Sequence, residues 1–119
     1  MSVRSDARTI IEAALAACRP DAAVRRALEG RDFPAAGVYL VAIGKAAWQM
    51  AACAAEVLGP RLKAGVVVTK YGHSMGPIPR CTIWEGGHPV PDENSFRGTR
   101  AAMELVEGLD AEDQVVFLV

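Results

Sequence analysis

Residues 38 to 45 read Val38-Tyr39-Leu40-Val41-Ala42-Ile43-Gly44-Lys45, a continuous apolar run that ends abruptly at a glycine and a lysine. Such a run, with aromatic and β-branched members, is typical of a strand buried on both faces of a parallel sheet. An alanine-rich helix is predicted over Ala46 to Leu58, followed by a second apolar strand over Gly65 to Thr69. Strand, helix and strand make a βαβ unit, so we predict an α/β fold with a mainly parallel sheet.

The segment before this unit predicts a helical hairpin. Apolar residues at helical spacing indicate a first helix over Ser5 to Cys18, with Ser5 available as its cap. Pro20 opens a second helix that Gly30 ends. Turn-forming residues over 31–37 join the hairpin to the sheet.

The segment after the unit is less regular. A third strand is predicted over Cys81 to Glu85, but the glycine- and proline-rich loop before it is shorter than a helical crossover normally needs. The third strand can therefore be parallel or antiparallel. A further helix is predicted to begin near Ser95 and to lead into a last strand, Gln114 to Val119. Because the chain stops inside that strand, we expect it to be a fragment of a longer α/β protein.

Composition limits the class of protein. A chain of 119 residues with 51% apolar and 23% charged residues suits one compact domain with a core. Thirteen basic and fourteen acidic residues without a block of like charge favour neither nucleic-acid binding nor a polybasic membrane anchor. No segment reads as a signal peptide or a membrane span, so we predict a cytoplasmic protein. Three cysteines, without a C-x-x-C pair, predict buried reduced thiols: Cys18, Cys53 and Cys81.

The first candidate site is Gly44-Lys45-Ala46-Ala47, where a glycine turn precedes a helix N-terminus beside an ammonium group. Free backbone N–H groups at a helix N-terminus favour anions. The segment is not a Walker A loop, because Tyr39 replaces its first glycine and Ala46 lacks the hydroxyl that would bind Mg²⁺. No G-x-G-x-x-G fingerprint occurs either. The alternative interpretation, a solvated lysine in the first helical turn, stays open.

The second candidate site is Thr69-Lys70-Tyr71-Gly72-His73, at the end of the second strand. In a parallel pair this end lies beside that of the first strand, so Lys70 and Lys45 can face one crevice and hold a carboxylate or phosphate. Lysines at strand ends are more often simply solvated.

The third candidate site is the loop Glu85-Gly86-Gly87-His88-Pro89-Val90-Pro91-Asp92, for which a structural turn is the simpler explanation. His73 and His88 lack the short spacing of zinc ligands, so we predict no metal site on this chain. Trp48 and Trp84 are predicted to be core residues rather than stacking platforms.

These three segments, in this order, resemble the N-terminal domain of the glycerate 2-kinase family, whose members are often called hydroxypyruvate reductases. The resemblance covers nearly the whole chain. It implies a Rossmann-like three-layer sandwich, with a helical hairpin at 1–30 packed on the same domain and an α/β portion at 31–119. It further implies a second domain, and a glycine- and serine-rich loop after the last strand, neither of which this chain contains.

The resemblance implies ATP-dependent phosphorylation of D-glycerate to 2-phosphoglycerate with Mg²⁺. Lys45 matches a lysine with an active-site role, while Gly44, Ala46, Lys70, His73 and His88 match positions that bind substrate or phosphate. We expect the fragment alone to be inactive and not to bind ATP tightly. The partners implied are D-glycerate and a nucleotide, without nucleic acid or membrane, and a homo-oligomer is allowed.

Two other functions stay open. The family's alternative name suggests reduction of hydroxypyruvate with NADH or NADPH, although no nicotinamide fingerprint is present. Alternatively, the chain is a complete, small anion-binding module whose exposed last strand pairs with another chain.

Overall fold

The computed structural model describes residues 2–33 and 37–119, so part of the predicted turn at 31–37 lies outside the described residues. The strands are β1 (Val38–Ile43), β2 (Leu62–Lys70), β3 (Cys81–Gly86) and β4 (Gln114–Leu118). The helices are α1 (Val3–Ala17), α2 (Pro20–Leu28), α3 (Ala47–Leu58) and α4 (Glu93–Glu107), and a short 3₁₀ turn, Gly59–Arg61, joins α3 to β2.

All the strands described lie in one parallel sheet, in the order β3-β2-β1-β4. The direction of β3, which the sequence left open, is therefore parallel, with Gly65 opposite Cys81 and Lys70 opposite Gly86. Residues 71–80 make the return without a helix. Extended chain over these residues reaches roughly 33 Å, whereas the return along a six-residue strand needs about 20 Å, so the loop is long enough.

The sheet is the middle of three layers. Alternate residues of β1 face opposite sides: Leu40 and Ala42 join the core beneath α2 and α3, while Val41 joins a second core with Ala102 of α4. Leu40, Val41 and Ala42 are at most 1% exposed, as a strand covered on both faces requires. Trp48 and Trp84 pack on the margins of these two cores, which agrees with the prediction that they are core residues.

The two N-terminal helices differ in their packing. Helix α2 buries Val24 and Leu28 in the core beneath α3. Helix α1 buries no residue, and its apolar side chains Ile10 and Leu15 are 69% and 66% exposed. The contact of this helical pair with the sheet-bearing part of the domain is therefore made by α2.

Helix starts differ from the predicted ones because capping side chains determine them. Helix α1 begins at Val3 with Ser2 as its cap, and Ser5, predicted as the cap, lies at the third helical position, where its hydroxyl bonds back to Ser2. Helix α4 begins at Glu93, before the predicted start near Ser95, because Asp92 and Ser95 form the same reciprocal arrangement. Each pair satisfies backbone N–H groups that a helix start leaves without partners.

The cysteines are all free, but one was placed wrongly by the sequence. Cys53 is buried and its thiol donates to the Asp21 carbonyl oxygen at 3.2 Å, and Cys81 is half-buried. Cys18, the C-terminal cap of α1, is exposed, as are the residues of the helix that it caps. Within the described residues, no helix has the length and apolar character needed to cross a membrane.

Candidate functional site

The carboxyl ends of β1, β2 and β3 open into a cleft of about 200 Å³, closed on one side by the start of α4. This is the edge of a parallel sheet at which ligands usually bind. All three candidate segments contribute to it. The cleft is lined by Ile43, Gly44, Val68, Thr69, Lys70, Gly86, Gly87, His88, Pro89, Pro91, Ser95 and Thr99.

The turn between β1 and α3 is fixed by the neighbouring strand. Gly44 has a φ of +119°, a conformation that favours glycine, and its N–H donates to the Val68 carbonyl oxygen at 3.0 Å. The Thr69 hydroxyl, whose residue is only 4% exposed, donates to the Gly44 carbonyl oxygen at 2.9 Å. In the part of the chain that the structure describes, no side chain caps the N-terminus of α3. The backbone of the turn is therefore fixed by hydrogen bonds to β2, and the backbone N–H groups at the start of α3 are available to an anion.

The two lysines differ in their relation to the cleft. Lys70 is half-buried and lines the cleft, whereas Lys45 is exposed and does not line it. The backbone of Lys45 is nevertheless tied to the site, because its carbonyl oxygen lies 3.0 Å from Nδ1 of His73. A carbonyl oxygen can only accept, so Nδ1 of His73 carries the proton in this contact. The structure thus joins the first and second candidate segments through His73, with only Lys70 in the cleft wall.

The loop after β3 approaches α4 closely. A Cβ at Gly86 would lie 2.6 Å from the Ser95 hydroxyl oxygen, and one at Gly87 would collide with the Val90 carbonyl oxygen. Glycine at both positions therefore lets the loop fold tightly against the helix start. His88, which is exposed, follows on this loop and lines the cleft.

A contact that the sequence did not predict joins the second and third segments. The Tyr71 hydroxyl donates to Oδ2 of Asp92 at 2.7 Å and accepts from Nδ2 of Asn94 at 2.9 Å. The hydrogen bond from Tyr71 is the main reason that the pKa of Asp92 is lowered to about 2, and backbone N–H donors at Gly87 and Ser95 lower it further. The same bond raises the pKa of Tyr71. The Asp-x-x-Ser spacing at 92–95 was the available sequence signal for the cap, but nothing in the sequence indicates the tyrosine contact.

The chemistry of the cleft suits a small anion. Its wall combines a lysine, a histidine and backbone close to a helix N-terminus, and none of the described residues that line it is acidic. Among residues 2–33 and 37–119, no three His, Cys, Asp or Glu side chains gather closely enough to hold a metal ion. The groups present can bind and orient a carboxylate or a phosphoryl group, and they include no cluster of carboxylates for a divalent cation.

A parallel α/β sheet with a cleft at its carboxyl edge is typical of ligand-binding α/β domains. Residues 6–119 match the family described as "Domain of unknown function (DUF4147)", and the chain belongs to this family.

The chain is 50% identical to "D-glycerate 2-kinase" of Thermotoga maritima over 98% of its own length and 28% of the relative's. It is 39% identical to "Putative hydroxypyruvate reductase" of Agrobacterium vitis over 100% of its length and 26% of that relative's. These relatives are therefore much longer, and the chain spans between a quarter and a third of them.

The crystal structure of glycerate kinase from Thermotoga maritima superposes with a TM-score of 0.85 at 49% identity, over 95% of this chain and 27% of that one. These comparisons confirm the predicted resemblance to the N-terminal domain of the glycerate 2-kinase family. They also confirm the predicted fold class.

Proposed function

We propose that this chain forms one wall of the active site of a glycerate 2-kinase, which transfers the γ-phosphoryl group of ATP to D-glycerate and releases 2-phosphoglycerate. The observation that carries the proposal is the convergence of three distant segments on one cleft, in a chain 50% identical to a relative named for this reaction. A protein that transfers a phosphoryl group works mainly by positioning and by stabilising charge. Lysine, histidine and helix-start N–H groups supply such charge stabilisation.

Lys45 is the residue to which we assign the catalytic role. It lies exposed in the turn before α3, at the rim of the cleft rather than in its wall, where its ammonium group can reach toward a phosphoryl group entering from outside. Gly44 and Ala46 shape that turn. Lys70 and His88 in the cleft wall are proposed to bind the substrate carboxylate or phosphate, with His73 holding the Lys45 backbone in place.

The nucleotide and its magnesium ion are proposed to bind mainly outside this chain. The described residues offer no cluster of acidic side chains for Mg²⁺, and the cleft of about 200 Å³ has room for a small acid such as glycerate rather than for ATP. We therefore expect the 119-residue chain alone neither to phosphorylate D-glycerate nor to bind ATP tightly. Robust turnover by the isolated chain would contradict this.

The deciding experiment uses the protein expressed from its complete open reading frame, incubated with MgATP and D-glycerate. Enolase, which accepts 2-phosphoglycerate but not 3-phosphoglycerate, is added with and without phosphoglycerate mutase. Formation of phosphoenolpyruvate without the mutase supports phosphorylation at the 2-position. Formation only with the mutase shows a 3-kinase, and no ADP above a control without glycerate contradicts the proposal.

Reduction of hydroxypyruvate is the second candidate, favoured by the name of the Agrobacterium vitis relative. It predicts saturable binding of NADH or NADPH and loss of their absorbance when hydroxypyruvate is added. The turn after β1 has a single glycine, Gly44, where a dinucleotide fingerprint has several. We therefore rank this reaction below the kinase, and a nicotinamide titration of the same protein separates the two.

A non-enzymatic anion-binding module is the third candidate. It is favoured by the position of β4 at one edge of the sheet, where Phe117 is 59% exposed. An apolar edge of this kind can pair with another chain. This function predicts a stable homo-oligomer of the 119-residue chain, which size-exclusion chromatography with light scattering would show.

A further inference from the structure

The Tyr71 side chain joins the loop that follows β2 to the end of the loop that follows β3. Its hydroxyl donates to Asp92 at 2.7 Å and accepts from Asn94 at 2.9 Å, so both of these hydrogen bonds lead to the start of α4. A hydrogen bond to an ionised carboxylate is about twice as strong as one between neutral groups. The contact therefore holds although the residue is 48% exposed.

The carboxylate of Asp92 contacts both ends of the loop that carries His88. It accepts from the Ser95 N–H at 3.2 Å, which caps α4, and it lies against Gly87 at the opposite end of the loop, where an added Cβ would be 3.2 Å from Asp92 Oδ2. The two ends of the segment 87–92 thus meet at one carboxylate. The Tyr71 bond fixes that carboxylate from outside the loop.

The segment that carries Tyr71 is itself tied to the turn before α3. The Tyr71 N–H donates to the Gly86 carbonyl oxygen at 3.2 Å, and His73 contacts the Lys45 carbonyl oxygen at 3.0 Å. Hydrogen bonds therefore tie the short segment 71–73 to the Lys45 carbonyl oxygen through His73, and to Asp92 through the Tyr71 side chain. Asp92 in turn ends the loop that carries His88.

We propose that Tyr71 is a positioning residue: its hydroxyl, through Asp92, keeps the His88 wall of the cleft in a fixed position relative to the Lys45 turn. This deepens the proposed kinase function and rests on it for its catalytic consequence. Tyr71 itself does not line the cleft. Its effect reaches the substrate through the loop. A loop that is already ordered before the substrate binds does not lose conformational freedom on binding, so none of the binding free energy is spent on ordering it.

Tyr71→Phe tests this, since it removes the hydroxyl and keeps the ring. The chain has two tyrosines and so provides a matched control. Tyr39→Phe makes the same chemical change near the start of β1, at the opposite end of the strand from the cleft. Both variants are made in the protein from the complete open reading frame.

For Tyr71→Phe, we expect kcat/KM for D-glycerate to fall about ten-fold, the effect typical of losing a hydrogen bond to a charged group. Hydrogen exchange of the peptide that covers residues 87–92 should become faster, and the melting temperature should fall slightly, because the hydrogen bond to Asp92 also stabilises the folded chain. For Tyr39→Phe, neither exchange at 87–92 nor kcat/KM should change. A purely structural role of Tyr71 would lower the melting temperature and leave kcat/KM of the folded enzyme unchanged.

Failure of this inference and failure of the proposed function give different results. If the wild type phosphorylates D-glycerate and Tyr71→Phe keeps kcat/KM within about two-fold, the positioning role is wrong. If the wild type shows no kinase activity, the proposed function fails, and exchange at residues 87–92 alone decides the positioning role. Unchanged exchange in Tyr71→Phe then refutes it.

Discussion

Gly98 controls how closely α4 approaches the sheet, and Gly98→Ala should therefore destabilise the protein although it lies inside a helix. A Cβ at this position would lie 2.9 Å from Cβ of Trp84 and 2.9 Å from Cγ2 of Val68. The first of these atoms is attached directly to the backbone of β3, and the second belongs to a β-branched side chain with little rotational freedom. Relief therefore requires the helix to move away from the sheet.

Two opposing effects determine how much Gly98→Ala changes the free energy of unfolding. Replacing glycine by alanine inside a helix stabilises it by about 1 kcal/mol. Overpacking a tight contact costs about 1–3 kcal/mol. With contacts on two sides of the new methyl group, we take the middle of that range and expect a net loss of about 1 kcal/mol in the free energy of unfolding.

Urea denaturation measures this effect, and Gly108→Ala is the matched control. Gly108 follows α4, has a φ of −86°, and has no heavy atom within 4 Å of an added Cβ. Gly108→Ala should therefore stabilise by about 0.4–1 kcal/mol, through the unfolded chain. A loss of 1 kcal/mol for Gly98→Ala corresponds to a midpoint about 0.5 M lower in urea for a slope near 2 kcal/mol/M. If both variants raised the urea midpoint equally, the result would contradict the tight packing of α4 against β3 at Gly98.

Three further predictions address the site and the thiols. In the protein from the complete open reading frame, Lys45→Ala should lower kcat/KM for D-glycerate by about 100-fold or more, with the melting temperature nearly unchanged because the side chain is exposed; a stability loss with normal turnover would favour a structural role. The pKa of Asp92 is about 2 in the folded chain against 3.8 ordinarily, so its stabilising contribution is complete above about 4 and is lost as the pH falls toward 2. The difference in melting temperature between wild type and Asp92→Ala should therefore shrink over that range, and a constant difference would contradict the assignment. Cys18, which is exposed, should react with a thiol reagent at neutral pH before the other two cysteines. Burial raises the pKa of the Cys81 thiol to about 11 and also raises that of Cys53, so both thiols should react more slowly. Mass mapping of the first labelled residue tests this order.

The elements with a strong local signal were predicted well. The continuous apolar run placed β1 at Val38–Ile43, and the alanine-rich segment placed α3 within one residue of its observed start. Pro20 placed the start of α2 because proline favours the first helical turn, and the helix ends at Leu28, two residues before the glycine predicted to stop it. The starts of α1 and α4 were missed because reciprocal capping by Ser2 and Asp92 moved them toward the N-terminus.

The candidate site was predicted in part. The ends of β1 and β2 come together as expected, since parallel strands place their carboxyl ends on one edge, and the third segment joins them because β3 is also parallel. The arrangement of individual side chains was not predictable, because it depends on the path of loops 71–80 and 87–92. Lys70 lines the cleft while Lys45 lies at its rim, and Thr69 and Tyr71 proved to hold the loops together.

By itself, the sequence determined the order of strands and helices along the chain and the positions that bear charge, since both follow from local periodicity and turn chemistry. The tertiary structure alone decided the parallel direction of β3, the exposure of α1 and the contact of Tyr71 with Asp92. Each of these depends on residues far apart in the chain meeting through packing and hydrogen bonds. Local propensity carries no information about such meetings, because they are set by the free energy of the whole fold.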